Sequence, residues 1–194
     1  MASRLKYLKI LLLIVLLQFP LAAPSASAGE PESALLIKVS FLLNFLKFTQ
    51  WPPGSFPAAD QELLLAVLGE DPMAALVKKT LEGRLIKDKP IKVSVYANVQ
   101  LWQQAGKVPH ALFVSHDMFR QWTDISAALA TAPVLTMADF PDFCAQGGIL
   151  NLVRDGNSIR FEANPEAARK ASLTLNAQML QLAEIVSTQK NEKP

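Results

Sequence analysis

The sequence predicts an α/β domain, a single three-layer body with a mostly parallel sheet and a C-terminal β-hairpin at or near one edge. Three observations predict it. Leu63 to Leu68 is an unbroken apolar run closed by Gly69, the form of a central parallel strand covered on both faces. Asp71-Pro72 follows at once as a helix cap with proline at the first helical position, and this order of strand, tight turn and helix recurs along the chain. After Gly147-Gly148 the pattern changes. Two segments flank Asp155-Gly156-Asn157, residues that tolerate the positive-φ turn of an antiparallel hairpin.

The chain opens with Arg4, Lys6 and Lys9, then an apolar core from Ile10 to Leu17, then small residues ending at Ala26-Ser27-Ala28. This is the pattern of a secretory leader over residues 1–28, leaving a domain over residues 29–194 in the periplasm. The other reading is a retained membrane anchor, but Gln18, Pro20 and Pro24 cut the apolar run short of the ~20 residues that a spanning helix needs. No cysteine stands at the new N-terminus to accept a lipid.

Ser33 to Phe48 carries Leu35, Val39, Leu42 and Leu46 on one helical line and Ile37, Phe41, Phe45 and Phe48 on the next. So wide an apolar arc wants protein on more than one side, and Lys38, Asn44 and Lys47 argue against insertion in a membrane. Trp51-Pro52-Pro53-Gly54 stops this helix, because proline removes amide donors and restricts the residue before it. The helix after the first strand runs from Met73 to Glu82. Ile91 to Tyr96 reads as a strand and Val99 to Ala105 as a helix. Ala111 to Val114 reads as a strand, with Asp117 opening a helix from Met118 to Leu129, and Pro133 to Met137 reads as a further strand. Such alternation points to right-handed crossovers. Ile149 to Val153 and Ser158 to Ala163 form the hairpin, and Asn164-Pro165-Glu166 starts a helix with cap, proline and first-turn acid in order. Beyond it, either one long helix continues through Val186, or Ser172 to Asn176 forms a short strand and a second cap. The break is preferred because Thr174 and the capping residues weaken helix continuity.

Removing the leader leaves 166 of 194 residues, enough for one core without covalent staples. It also takes three of the 19 basic residues, leaving 16 against 17 acidic ones. The basic balance of the precursor therefore says nothing about nucleic acid, and none is expected as a partner. Cys144 is the only cysteine, so no intramolecular disulfide forms; it is either a buried small hydrophobe or a free thiol.

The first strand ends in a lone Gly69 followed by Glu70-Asp71, with no G-x-G-x-x-G and no G-K-S/T cradle, so nucleotide cofactors are not expected. Asp71, Asp117 and Asp139 all follow proposed parallel strands, where three carboxylates can bind Mg²⁺ through oxygen. The plainer reading is that Asp71 and Asp117 cap helices and Asp139 sits in a turn, so no metal or catalytic residue is assigned. His110 and His116 bracket one strand at opposite ends and do not share a metal. His116, beside Asp117 at a strand-to-helix turn, has the better claim to exposure. Trp51 and Phe56 flank one proline-rich turn, and Phe140 and Phe143 flank Pro141 on another. Trp51, Phe56, His116, Phe140 and Phe143 are the candidate partner-binding residues, apolar patches for protein recognition weighed against core packing. Trp102 and Trp122 are expected to help cover the sheet.

Several separated blocks resemble one family of exported regulators. Asn44-Phe45-Leu46-Lys47-Phe48-Thr49-Gln50-Trp51-Pro52, Ala66-Val67-Leu68-Gly69-Glu70-Asp71-Pro72 and His110-Ala111-Leu112-Phe113-Val114-Ser115 look like the YfiR-like family. So do Gly147 to Leu152, Ile159 to Asn164, Ala167-Ala168-Arg169 and Leu180 to Ala183, in the same order. Members carry cysteine where Ala66 and Pro109 stand here, and the resemblance implies a bridge between neighbouring strands in them. Losing both leaves no orphan thiol, and puts redox control through that bridge in doubt for this chain.

The resemblance implies a periplasmic repressor that engages the periplasmic sensory region of an inner-membrane diguanylate cyclase, lowering cyclic di-GMP and biofilm formation. It supplies no catalytic residues, and an enzyme is not expected. An outer-membrane lipoprotein is a further partner to expect, and a homodimer would cover the wide arc of the first helix. The alternative is a periplasmic small-ligand binding or assembly module that uses the carboxyl edge of the sheet.

Overall fold

The computed structural model describes residues 30–56, 62–129 and 132–188; the predicted leader lies outside them. Helix α1 (Glu32–Phe48) leads into β1 (Thr49–Gln50), and β2 (Leu63–Leu68) feeds α2 (Pro72–Leu81). Then come β3 (Leu85–Ile86), β4 (Lys89–Tyr96), α3 (Val99–Gln104), β5 (Ala111–Val114), a 3₁₀ helix (His116–Gln121), α4 (Trp122–Leu129) and β6 (Leu135–Ala138). The hairpin strands β7 (Leu150–Asp155) and β8 (Ser158–Ala163) precede α5 (Pro165–Lys170), β9 (Thr174–Leu175), α6 (Ala177–Leu180) and β10 (Glu184–Ile185).

The main sheet runs β10-β8-β7-β6-β5-β2-β4-β3. Its inner pairs are parallel, with Leu65 opposite both Val93 and Ala111, and Ala111 opposite Leu135. Strand β7 is parallel to β6 and antiparallel to β8, and the loop of two residues between Asp155 and Ser158 fits the turn read from the sequence. The hairpin does not end the sheet, because β10 pairs outside β8. Numbered along the chain, the five strands β4-β2-β5-β6-β7 stand in the order 2-1-3-4-5 of a flavodoxin-like doubly wound sheet. Chain direction away from the sheet's start therefore reverses between β2 and β5.

Strand periodicity separates two cores. Leu63, Leu65, Val67, Ala111, Phe113, Leu135 and Met137 face α1, α2 and α5, whereas Ala66, Leu68, Leu112, Val114 and Ala138 face Trp102, Trp122 and Ile125 of α3 and α4. These are the three layers. Each fully buried Leu or Phe contributes about 1.5–3 kcal/mol against exposure.

The local signals act as read in most elements. Asp71 caps α2 by accepting the Ala74 N–H at 3.0 Å, Asn164 caps α5 through Ala167, and Asn176 caps α6. The C-terminal segment breaks at Ser172, whose φ of 58° no helix accommodates. Helix α1 buries Val39, Leu42, Phe45 and Leu46, while Leu36, Ile37 and Phe48 stay exposed. One expectation is corrected. Asp117 does not open a helix as its cap: Ser115 holds the cap position of the 3₁₀ turn, and Asp117 reaches sideways to accept the Glu70 N–H at 3.3 Å. A tertiary donor outcompetes the local one there. Strands β1, β3 and β10, of two residues each, were too short to leave a periodic signal.

Candidate functional site

At the amino end of β5, the proline-rich turn after α1 folds back on the sheet. Trp51 donates its indole N–H to the His110 carbonyl at 2.9 Å, and Phe56 stacks on the His110 imidazole with centroids 4.2 Å apart. The two aromatic rings meet edge to face at 5.8 Å. Buried His110 is held as the neutral tautomer protonated at Nε2, since Nδ1 accepts the Leu64 N–H at 2.9 Å and Nε2 faces the Ser55 carbonyl at 2.8 Å. Lys89 places its ammonium 4.9 Å from the Phe56 centroid, and Lys87 donates to the Thr49 carbonyl. Trp51, Phe56, Leu63, Ile86, Lys87 and Lys89 thereby border a recess of about 360 Å³ with an aromatic wall and a cationic rim.

The other three predicted residues lie elsewhere. His116 is exposed beyond the carboxyl end of β5, with Phe119 at 6.0 Å. Phe140 and Phe143 are buried, packed edge to face at 5.1 Å, with Phe143 against Trp122 at 4.5 Å. Gly148 is glycine because a Cβ there would enter the Phe143 ring. The Pro141 turn resembles the Trp51 turn in composition, but its Phe140 and Phe143 rings are turned inward and Phe143 packs on Trp122 of α4. Trp51 and Phe56 form one patch, His116 stands apart at the opposite end of β5, and the two phenylalanines are core.

The carboxyl ends of β2, β5 and β6 carry the carboxylates noted in the sequence. Asp139 pairs with Lys38 of α1 at 2.9 Å, both side chains almost wholly buried. Burial pushes the Asp71 carboxyl above the ordinary aspartate value; the Ala74 amide opposes this, and the Asp139 and Asp117 charges add to it. Gly69, at φ 123°, lets the turns approach: a Cβ there would stand 2.5 Å from Asp117 Oδ1 and 2.6 Å from Ser115 Cβ. The Ser115 side chain hydrogen-bonds to Asp71 and also opposes the rise there, whereas Asp139 Oδ1 is buried without a hydrogen-bond partner. Among the described residues, no three His, Cys, Asp or Glu side chains are grouped to cage a metal by themselves.

A family model described as YfiR/HmsC-like matches residues 36–184, from within α1 to the first residue of β10. The chain belongs to the YfiR/HmsC-like family. No curated protein matches it. The YfiR/HmsC-like span contains both the aromatic recess and the carboxyl-edge crevice, and membership associates the chain with periplasmic regulatory and binding proteins. Ala66 and Pro109, the positions that the resemblance gives to half-cystines, both line a small cavity of about 140 Å³. Cys144 stands away from it, fully buried; burial and then the Glu162 charge push its thiol far above the ordinary value, which suits a packed hydrophobe and not a redox thiol. Among the described residues, no helix is long and apolar enough to cross a membrane.

Sequence reasoning missed three residues of these sites. Lys38 reads as an interruption of an apolar arc, and its partner lies 101 residues away. Lys89 carries no motif and His110 stands in a family block that assigns it no role, so only the fold of the turn brings them to Phe56.

Proposed function

We propose that this chain is a periplasmic regulatory protein that binds the periplasmic region of a membrane-bound diguanylate cyclase and holds it in its inactive state. Family membership over residues 36–184 carries this reading. Preferential contact with one receptor conformation is sufficient to shift its population across the membrane, so regulation by contact needs no catalytic group in the repressor. The recess at Trp51 and Phe56 supports it with what a protein hot spot uses, a half-exposed aromatic pair beside lysines. An outer-membrane lipoprotein is the proposed sequestering partner.

Deleting the gene is expected to raise cellular cyclic di-GMP, and crosslinking in intact cells to capture the cyclase on this chain. No change in the nucleotide and no captured receptor would end the reading. Phe56→Ala with Lys89→Glu is expected to reduce capture about tenfold or more, the loss when a hot-spot residue is truncated, while the unfolding midpoint changes little.

Self-association belongs to the same proposal. Leu36, Ile37 and Phe48 expose an apolar side of α1, at 44%, 48% and 40%. Sedimentation is expected to show a dimer that Ile37→Glu converts to monomer; a parent monomeric at all working concentrations would refute it.

A second reading, a small-ligand module, is favoured by one observation. A cavity of about 460 Å³ lies between α4 and α5, walled by Trp122, Leu129, Val134 and Ile149 with Lys170 among its lining residues, within the size range of ligand sites. Native mass spectrometry of protein taken from the periplasm would retain a ligand if this reading holds.

A further inference from the structure

The cationic rim of the aromatic recess has no anion of its own. It is built on the two-residue turn between β3 and β4, where Lys87 and Asp88 both take positive φ, 49° and 67°. That turn sets two lysines on the recess. Lys87 donates to the Thr49 carbonyl at 3.2 Å, and Lys89 stands over the Phe56 ring. Asp88, between them, is exposed and takes no part in the lining. Among the described residues no carboxylate pairs with either lysine, whereas Lys38, Lys92 and Lys170 each have one. Lys89 is half-buried, so its ammonium has given up part of its water without gaining an opposite charge.

Below the rim the surface changes character. Leu63 and Ile86 are buried and Trp51 and Phe56 half-exposed, and the polar groups nearest them are committed inward: the Trp51 indole N–H to the His110 carbonyl, and the His110 ring to Ser55 and Leu64. Apart from Gln50, the walls offer an occupant carbon and the rim offers it ammonium. An apolar side chain with a carboxylate close beside it answers both. At about 360 Å³ the recess lies near the small end of ligand cavities, and its aromatic walls stay open to solvent on one side. A free small molecule draws on burial of about 70–90% of its surface, which a half-open recess does not supply. A protein segment gains the rest of its burial from the surface around the recess.

We propose that the recess receives an acidic segment of the membrane partner, with an apolar side chain packed against Trp51 and Phe56 and a flanking carboxylate meeting Lys87 and Lys89. This rests on the regulatory reading above and names the chemistry of the surface that the chain recognises. The apolar contact supplies most of the binding, and the lysines select the partner and speed the encounter. Their attraction acts partly through solvent, so binding weakens as salt rises. The aromatic wall stands in place before the partner arrives, because His110 holds Ser55 through its imidazole and Trp51 through its carbonyl.

The test is an NMR titration of the isotope-labelled chain, read at the Trp51 indole N–H, a signal assigned by its loss in Trp51→Phe. The probes are an acetylated peptide carrying Asp-Phe-Glu between glycines and serines, the same peptide carrying Lys-Phe-Lys, and N-acetylphenylalanine alone. Saturable movement is expected with the acidic peptide, about tenfold tighter than with the basic one and weaker at about 500 mM than at about 20 mM sodium chloride. Lys87→Glu with Lys89→Glu is expected to reverse the preference, which a merely structural role of the turn does not do. Lys89→Glu alone leaves the Thr49 bond in place and is expected to remove most of the preference, so the test stands even if the double variant does not fold. No movement of the Trp51 signal, equal binding of the two peptides, or an unchanged preference in Lys89→Glu would each overturn the proposal. Binding of N-acetylphenylalanine as tight as that of the acidic peptide would also overturn it, by assigning the recess to a small ligand. Cyclase capture in cells decides the regulatory reading separately: capture undiminished by the double charge reversal overturns this proposal and leaves that reading standing.

Discussion

Gly69 shows how much one missing carbon can decide. Its positive φ is the left-handed region that side chains avoid, and the room a Cβ would need is already filled by Ser115 and Asp117. Gly69→Ala is expected to destabilise the fold by about 1–3 kcal/mol, the range for forcing atoms into a packed site, and a chemical denaturation curve would check it. Asp71 makes the pH dependence legible at the same scale. Its folded-state pKa is raised above 3.8, so the folded protein holds this proton more tightly than the unfolded chain. The associated stability is fully present below 3.8 and is lost as pH rises through the folded value. Asp71→Asn caps equally well and carries no charge. The stability of Asp71→Asn relative to the parent should therefore increase from acid to neutral pH; a pH-independent difference in unfolding midpoints would contradict this.

Among the elements, α1 depends most on a contact that no local signal announces. Its apolar spacing puts Val39, Leu42, Phe45 and Leu46 into the core, yet Lys38 goes in with them because Asp139 waits at the end of β6. Removing one member of such a pair strands a buried charge, whereas replacing both by apolar groups is often neutral. Lys38→Met is thus expected to cost about 3–5 kcal/mol, and adding Asp139→Leu to restore most of it, as measured by urea unfolding of the single and double variants. If the double variant is no more stable than the single, the pair is not the reason Lys38 is buried. The capped helices α2, α5 and α6 stand at the other extreme, each opened by an Asp or Asn that the sequence displays directly.

Over the whole molecule, the layers and parallel order were legible because they rest on local periodicity: apolar runs for strands buried on both faces, caps for helices, and Gly156-Asn157 for the hairpin. The aromatic turn was legible only in part. Trp51 and Phe56 stand together, but burial of Phe140 and Phe143 is decided by α4 packing over a turn of the same composition. Asp117, His110 and Lys38 were opaque for a common reason, since each is fixed by a partner at least 46 residues away. The strand order at the ends of the sheet has a consequence for association with other chains. Both terminal strands, β3 and β10, offer only two residues of backbone. Because β10 covers only Glu162 and Ala163, the outer edge of β8 from Ser158 to Phe161 has no strand beside it among the described residues, and an extended segment of about four residues has a ladder to join there.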